Sequence, residues 1–229
     1  MPADACCAEP RELSGSRTKV IQTTRRMMLQ IAAMSIAALV MATGSTLAFT
    51  MEEMGVAGPL GDRTLGDPNA PVTIVEYASL TCPHCANFHE TVYPKLKSEY
   101  IDTGKVYFIY RDFPLDGRAF GAAMLTRCVP EDKYFDMVGL LFDTQRKWAA
   151  AEPAQAEQAL LDVVKQAGFT QESFYACLQK QDLVDGIQWV RQRAKDRFGV
   201  NSTPSVFING ELTEAFSFED IAKEIDAAM

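Results

Sequence analysis

Four consecutive residues, Cys82-Pro83-His84-Cys85, place two cysteines two residues apart. Two thiols at this spacing can close into a small disulfide ring and open again, which is the chemistry of thiol–disulfide exchange. Where such a motif opens a helix, free backbone N–H groups and the helix dipole favour a thiolate at the first cysteine. We therefore expect Cys82 to be the exposed nucleophile and Cys85, one turn further along and more buried, to be the resolving thiol.

The two residues between the cysteines support this prediction. Pro83 suits the first turn of a helix, where its missing N–H costs no hydrogen bond. His84 adds a nearby donor and, when protonated, a positive charge, and both would lower the pKa of Cys82 further. A stabilised thiolate stabilises the reduced form, so the disulfide becomes a stronger oxidant.

A zinc site is the main chemical alternative for two cysteines at this spacing. A structural zinc ion needs four ligands at matching spacing. The sequence has no second Cys-x-x-Cys motif, and its two histidines are His84, inside the motif, and His89, one helical turn beyond Cys85. A buried, inert pair of cysteines is disfavoured by the Pro-His between them. We therefore predict no metal and no other cofactor.

The residues around the motif predict the elements that position it. The segment 72–78 is short, apolar and rich in β-branched residues, as a buried strand is. Residues 86–100 read as a helix that Pro94 kinks and Gly104 helps to end. Residues 105–110 form a second strand candidate. The motif thus lies where a strand leads into a helix, within a β-α-β unit.

The remainder of the chain predicts a helical block followed by a β-β-α unit. Helix candidates between residues 117 and 198 are 118–129, 133–146, 155–167, 172–179 and 185–198. The last of these has apolar residues three and four positions apart on one face, namely Ile187, Val190, Ala194 and Phe198. A strand at 205–208 leads into Asn209-Gly210, a strong hairpin signal. We expect a partner strand over 211–216 and a final helix from 217 or 218 to 229.

The N-terminal 48 residues have the pattern of an export signal. A polar stretch ends in Arg25-Arg26, the 16 residues Met27–Ala42 are mostly apolar, and Thr46-Leu47-Ala48 matches a signal-peptidase site. A spanning helix needs about 20 apolar residues, so we predict cleavage after Ala48, with an uncleaved anchor as the alternative. The twin-arginine and ordinary secretory routes both stay open. In each case the rest of the chain leaves the cytoplasm.

Composition and the other cysteines narrow the function classes. Apolar residues make up 48% and charged residues 23% of the chain, as in folded proteins, and a net charge of −8 argues against nucleic-acid binding. Cys6 and Cys7 lie in the leader and receive no function. Cys128 and Cys177 stand 49 positions apart on predicted helices. We favour a second, structural disulfide between them over two separate thiols, since the compartment is oxidising.

Two motifs carry a family resemblance. The stretch from Glu76 to Cys85, together with Phe198–Gly210, resembles the DsbA-type thiol:disulfide interchange proteins over roughly residues 57–229. This resemblance implies an α/β thioredoxin fold with an inserted helical domain. The domain prediction is an export signal at 1–48, an extension or linker at 49–70, the thioredoxin-fold domain at 71–116 and 199–229, and the insert at 117–198.

The resemblance also implies roles for residues outside the motif. Thr203-Pro204 matches the family's cis-proline loop, which lies beside the cysteines and pairs with substrate backbone; a plain trans proline is the alternative. Glu76 matches an acidic residue beneath the active site that would help to move the proton of Cys85, although it would also fit as an ordinary strand-end glutamate. The insert would cap the site and form part of a hydrophobic peptide groove. Thr203 departs from the valine common in the strongest oxidases.

The function implied is that of a periplasmic oxidase. It would donate its disulfide to unfolded or newly exported cysteine-containing proteins, would be reoxidised by a membrane quinone-linked partner, and would act as a monomer. A reductase or isomerase using the same cysteines is the nearest alternative, although residues 49–70 are short for the dimerisation region of such isomerases. A peptide-binding chaperone with structural cysteines is the alternative from another class.

Overall fold

The computed structural model describes residues 50–229. The predicted export signal at 1–48, with its arginine pair and its Thr46-Leu47-Ala48 cleavage site, lies outside these residues. Within residues 50–229 no helix has both the length and the hydropathy that crossing a membrane requires.

A mixed sheet forms the centre of the described part of the chain. Its strand order is β1-β3-β2-β4-β5, with β2 and β3 parallel and the other neighbouring pairs antiparallel. The strands are β1 (Arg63–Leu65), β2 (Val72–Ala78), β3 (Val106–Asp112), β4 (Ser205–Ile208) and β5 (Glu211–Leu212). The predicted strands at 72–78, 105–110 and 205–208 are confirmed, and β3 continues two residues beyond its predicted end.

Helices occupy most of the remaining described chain. They are α1 (Met51–Met54), α2 (Pro83–Thr91), α3 (Tyr93–Leu96), α4 (Gly117–Thr126), α5 (Tyr134–Asp143), α6 (Gln145–Trp148), α7 (Ala156–Val164), α8 (Gln171–Leu178), α9 (Gln181–Phe198) and α10 (Phe218–Ala228). A π-helical turn at Lys97–Ile101 follows α3, and 3₁₀ turns at Glu131–Lys133 and Lys165–Ala167 precede α5 and follow α7. The thioredoxin fold with a helical insert is therefore confirmed.

The two faces of the sheet pack against different partners, because side chains alternate along a strand. Val75 and Tyr77 of β2 face one side and pack with Val190, Ala194 and Phe198 of α9. The predicted apolar face of α9 is thus buried as expected. On the other side, Val72, Ile74 and Ala78 pack with α2 and with the helices of the insert. Glu76 shares this second parity, so it points into the same layer as α2.

Two predicted elements differ from the structure. The expectation that the motif opens a helix, with Pro83 in the first turn, is confirmed by α2. The single kinked helix expected as far as residue 100 is divided instead: α2 ends at Thr91, and Pro94 lies in the first turn of the separate helix α3. Proline has no N–H to continue the hydrogen-bond ladder of α2, so the chain starts a new helix. The predicted strand at 211–216 is also wrong beyond Leu212, because the N–H of Ala215 bonds to the Thr213 hydroxyl and turns the backbone away from the sheet.

The segment 49–70, expected only as an extension or linker, contains α1 and the edge strand β1. The three residues of β1 have no alternation of polar and apolar side chains, so the sequence gives no signal for a strand there. This strand forms because it pairs with β3. A buried ion pair between Arg111 and Asp62, at 2.7 Å, fixes the chain just before β1. The boundaries predicted for the individual domains stay a prediction.

Candidate active site

The Cys-Pro-His-Cys motif lies at the junction of β2 and α2. Cys82 is the N-cap of α2, with extended backbone angles of φ −76° and ψ 121°, and Pro83 occupies the first turn. The side-chain amide of Gln145, at the start of α6, donates hydrogen bonds of 2.9 Å to the carbonyls of both Leu80 and Cys82. The helical insert therefore holds the loop that presents Cys82.

Cys82 lies in surroundings that favour its thiolate. Its pKa is lowered from an ordinary value of 9.0 to about 5, first by a hydrogen bond from the Cys85 thiol, against the opposing effect of burial. The Thr203 side chain and the backbone N–H groups of Cys85 and His84 contribute further. These N–H groups belong to the first turn of α2, where they have no helical partner. At neutral pH, Cys82 is thus a thiolate.

Two details of the predicted Cys82 environment differ in the structure. The residue is only 6% exposed, whereas we expected an exposed sulfur, because the Thr203 loop lies against the sulfur. The contribution assigned to His84 comes from its backbone N–H, whereas the sequence pointed to its imidazole. The His84 side chain is exposed and faces a neighbouring cavity.

Cys85 has the opposite character. It is fully buried, and burial, the hydrogen bond to Cys82 and the negative charge of Glu76 raise its pKa far above the ordinary value of 9.0. Both thiols are free, so the structure shows the dithiol state. The motif therefore combines a sulfur that favours the thiolate, at the N-terminus of α2, with a protonated, fully enclosed one, which is the division of roles that a nucleophile and a resolving thiol need.

The loop before β4 completes one wall of the site. The Thr203–Pro204 peptide bond is cis, and the Cys82 sulfur lies 3.2 Å from the Thr203 carbonyl oxygen, to which it donates a hydrogen bond when it is protonated. The Thr203 hydroxyl is buried and has no partner in this state. It lowers the pKa of Cys82 because it can donate to the sulfur once the thiolate forms. Thr203 and Pro204 thus lie directly against the reactive sulfur.

Two cavities flank the motif. One, of about 370 Å³, lies beside the cis-proline loop and is lined by His84, Asn87, Phe88, Ser202, Thr203, Pro204 and Phe216. The other, of about 530 Å³, is where the insert meets α2, and its insert wall includes Asp143, Arg146 and Lys147. The same wall also contains the apolar side chain of Phe142. The hydrophobic groove wall expected from the insert stays a prediction.

Glu76 is fully buried in β2, next to a residue that the sequence analysis did not select. The His89 Nε2 lies 3.2 Å from Glu76 Oε1 and 3.0 Å from Oε2. His89 follows Cys85 by four residues in α2, and this spacing on one helical face was the available signal. Within residues 50–229, no group of three or more His, Cys, Asp or Glu side chains is arranged to bind a metal ion.

The remaining cysteines form a second feature of the insert. Cys128, which follows α4, and Cys177 of α8 are joined by a disulfide, with Cα atoms 6.1 Å apart. The Cys177 sulfur also lies 3.3 Å from the carbonyl of Met124 in α4. This bridge links two helices of the insert to each other.

These features define a class of protein: a thioredoxin fold whose Cys-x-x-Cys motif faces a cis-proline loop. A family model described as thioredoxin matches residues 60–227. A Rickettsia typhi protein named as a protein-disulfide oxidoreductase is 31% identical over 169 residues, which is 73% of this chain and 62% of that protein. A Bacillus cereus protein named "Probable disulfide bond formation protein D" is 33% identical, over 72% of this chain and 77% of its own.

Solved structures agree with these relatives. The crystal structure of Wolbachia pipientis alpha-DsbA1 superposes with a TM-score of 0.69 at 31% identity, covering 77% of this chain and 94% of that one. The chain spans about three fifths of the length of the rickettsial relatives. The chain belongs to the thioredoxin family, among its DsbA-like members.

Proposed function

We propose that this chain is an exported oxidase that transfers the Cys82–Cys85 disulfide to cysteine-containing proteins. A substrate thiolate attacks the Cys82 sulfur, the bond to Cys85 breaks, and a mixed disulfide forms. A second substrate thiolate then attacks the substrate sulfur of that mixed disulfide. The substrate leaves oxidised, and Cys82 leaves as a thiolate, so two electrons pass from the substrate to the motif.

The observation that carries the oxidising direction is the lowered pKa of Cys82, about 5. A thiolate that is stable in the folded protein makes the reduced motif the favoured state, so the motif tends to transfer its disulfide to a substrate. A low leaving-group pKa also speeds the second attack, because Cys82 departs as a thiolate. Both effects favour donation of a disulfide over reduction of one.

The site suits an extended peptide chain as its substrate. Thr203 and Pro204 lie against Cys82, and the cavity of about 370 Å³ beside them is also lined by Phe216, a residue that is 56% exposed. An extended peptide can add to backbone exposed at such a loop, while an apolar side chain enters the cavity. Unfolded or newly exported proteins present extended segments with free cysteines, and folded proteins do not.

We further propose a periplasmic location, reoxidation by a membrane quinone-linked partner and a monomeric state. The predicted export signal at 1–48 supports the location, and the reoxidising partner is what the DsbA-type resemblance implies. Subcellular fractionation of the tagged full chain tests the location. Replacing Arg25-Arg26 with Lys-Lys tests the route, since blocked export would indicate the twin-arginine pathway and normal export the secretory one.

The test of function is transfer of the disulfide to a reduced, unfolded protein with two cysteines. Oxidised wild type should form the substrate disulfide and itself become reduced, and Cys82→Ser should have no such activity. Full activity of Cys82→Ser would support the chaperone alternative. Failure to oxidise this substrate, together with rapid reduction or reshuffling of a disulfide-bonded one, would favour the reductase or isomerase alternative.

A further inference from the structure

A groove of about 700 Å³ lies where the start of α4 meets α9. Its residues come from two stretches of the chain, the loop and first helical turn at 114–120 and the helical stretch at 185–192. Neither of the two cavities that flank the motif shares a residue with this groove. We call it the α4–α9 groove.

The α4–α9 groove has apolar side chains that are open to solvent. Leu115 is 47% exposed and Trp189 is 38% exposed, and both line the groove together with the half-buried Phe120. The Trp189 indole is held in place by its neighbours: the Arg193 guanidinium lies 5.5 Å from the ring centroid, and a Cβ on Gly58 would be 3.3 Å from the ring atom Cε3. A fixed, partly exposed aromatic surface of this kind is typical of a contact surface for a partner.

The charges of the α4–α9 groove favour a basic partner. Asp116 and Asp185 are exposed, one on each of its two stretches. Arg191 also lines the groove, but its Nε donates a 2.9 Å hydrogen bond to the Pro114 carbonyl and its guanidinium lies 5.5 Å from the centroid of the Phe113 ring. Its charge is therefore held against the groove wall. Because the whole chain carries a net charge of −8, a basic segment is attracted to it, whereas a second copy is repelled.

Asp116 joins the α4–α9 groove to the motif. Its carboxylate accepts a 2.7 Å hydrogen bond from the Thr81 hydroxyl, and Thr81 directly precedes Cys82. The same carboxylate caps α4 by accepting a 2.8 Å hydrogen bond from the Ala119 N–H. The groove thus begins beside the residue next to Cys82. A polypeptide attached to Cys82 has the groove within reach, because five extended residues span about 17 Å.

We propose that the α4–α9 groove binds a segment of the substrate polypeptide near its reacting cysteine, and that it selects a segment in which a large apolar side chain is followed by lysine or arginine. The apolar side chain packs against Leu115, Phe120 and Trp189. The basic side chain lies near the carboxylates of Asp116 and Asp185. This inference rests on the proposed oxidase function and adds a substrate preference to it.

Single-turnover reaction of the oxidised protein with synthetic peptides measures this preference. Each peptide has one cysteine and, within about five residues on its N-terminal or C-terminal side, the pair Trp-Lys, Trp-Glu or Ser-Ser. The rate at which the Cys82–Cys85 disulfide opens is divided by the concentration of peptide thiolate. In one of the two orientations, Trp-Lys should react at least about fivefold faster than either other pair. Equal rates for all pairs in both orientations would overturn the proposal.

A charge-reversed variant locates the preference for lysine in the groove. Asp185→Lys should lose the advantage of the Trp-Lys peptide over the Trp-Glu peptide. Asp196→Lys is the matched control, because Asp196 is on the same helix and each of the two aspartates accepts a hydrogen bond from a glutamine four positions earlier. Asp196→Lys should keep the wild-type preference. Loss of the preference in both variants, or in neither, would contradict a role of the groove.

An aromatic variant locates the preference for the apolar side chain. Trp189→Ala should lower the rate with the Trp-Lys peptide at least about fivefold and leave the Ser-Ser peptide unchanged. Tyr175→Ala is the control, since the Tyr175 ring belongs to α8 and is also 38% exposed. Equal effects of the two variants would argue against the groove.

The outcomes distinguish the groove from the proposed function. Wild-type protein that opens its disulfide with none of the peptides would contradict the oxidase function itself, whereas equal rates with all of them would contradict the groove alone. A dimer in sedimentation that Trp189→Ala abolishes would show that a second copy occupies the groove, and would also overturn the proposal. Urea unfolding shows whether Trp189→Ala is folded, and if it is not, Asp185→Lys, at an exposed position, still decides the question.

Discussion

The lowered pKa of Cys82 makes the stability of the reduced protein depend on pH. The pKa of Cys82 is about 5 in the folded protein, and its ordinary value is 9.0. Ionisation of Cys82 therefore adds to the free energy of unfolding across the interval of about four pH units between these two values. At 1.36 kcal/mol per unit, this corresponds to about 5 kcal/mol when complete. Cys82→Ser removes the ionising group and should remove this contribution.

The sign follows from the direction of the shift. Because the folded pKa is depressed, the stabilisation is complete above about pH 9 and is lost as pH falls toward about 5. About pH 7 lies roughly two pH units above the folded pKa, so ionisation of Cys82 contributes about 3 kcal/mol to the free energy of unfolding there. Below about pH 5 the thiol is protonated in both states, and the contribution disappears.

Urea unfolding of reduced wild type and Cys82→Ser, in a phosphine reductant, measures this difference. The stability of wild type relative to the variant should rise by about 1.4 kcal/mol per pH unit between about pH 5 and 9 and then level off. Oxidised wild type is the control, since its Cys82 cannot ionise and should lack this rise. A difference between wild type and variant that does not change with pH would refute the thiolate assignment.

Three further predictions concern other parts of the site. Cys85→Ser lacks the enclosed thiol that releases a trapped partner, so intact-mass analysis should find mixed disulfides between Cys82 and substrate; their absence would argue against the assigned roles. Replacing both Cys128 and Cys177 with alanine opens a loop of 49 positions and should lower the unfolding free energy by about 4 kcal/mol in the chain-entropy treatment. An unchanged urea midpoint would contradict that structural role. Gln145→Leu removes two hydrogen bonds to the loop before α2. It should lower the free energy of unfolding by about 1–3 kcal/mol and slow peptide oxidation. Wild-type values for both would show that the Gln145 hydrogen bonds are not needed to hold this loop.

The parts of the fold that follow from local sequence were predictable. The strands β2, β3 and β4 are dense in β-branched and aromatic residues, and the helix α9 has a regular apolar face, so each carries its own signal. The Asn209-Gly210 turn was equally local, with both residues at positive φ. In contrast, β1 has three residues and depends on pairing with β3, and β5 ends where Thr213 redirects the backbone.

The same distinction applies to the site. The spacing of Cys82 and Cys85 and the helical turn at Pro83 follow from residues adjacent in the sequence. The pairing of Glu76 with His89 crosses 13 positions, and that of Gln145 with Cys82 crosses 63. Contacts of this kind depend on how α2 and the insert pack on the sheet, and no local pattern encodes that packing. The exposure of Cys82 was misjudged for the same reason, since the loop that covers it is more than 100 positions away.

The oxidising direction is tested most directly by the redox potential of the Cys82–Cys85 pair. The protein is equilibrated in glutathione buffers of defined ratio, and the reduced fraction is counted by alkylation and mass analysis. With a Cys82 pKa of about 5, the potential should lie closer to about −120 mV, the value of a strong oxidase, than to the thioredoxin value of about −270 mV. A potential near about −270 mV would contradict the account, because it would show that the motif holds its disulfide too firmly to donate it.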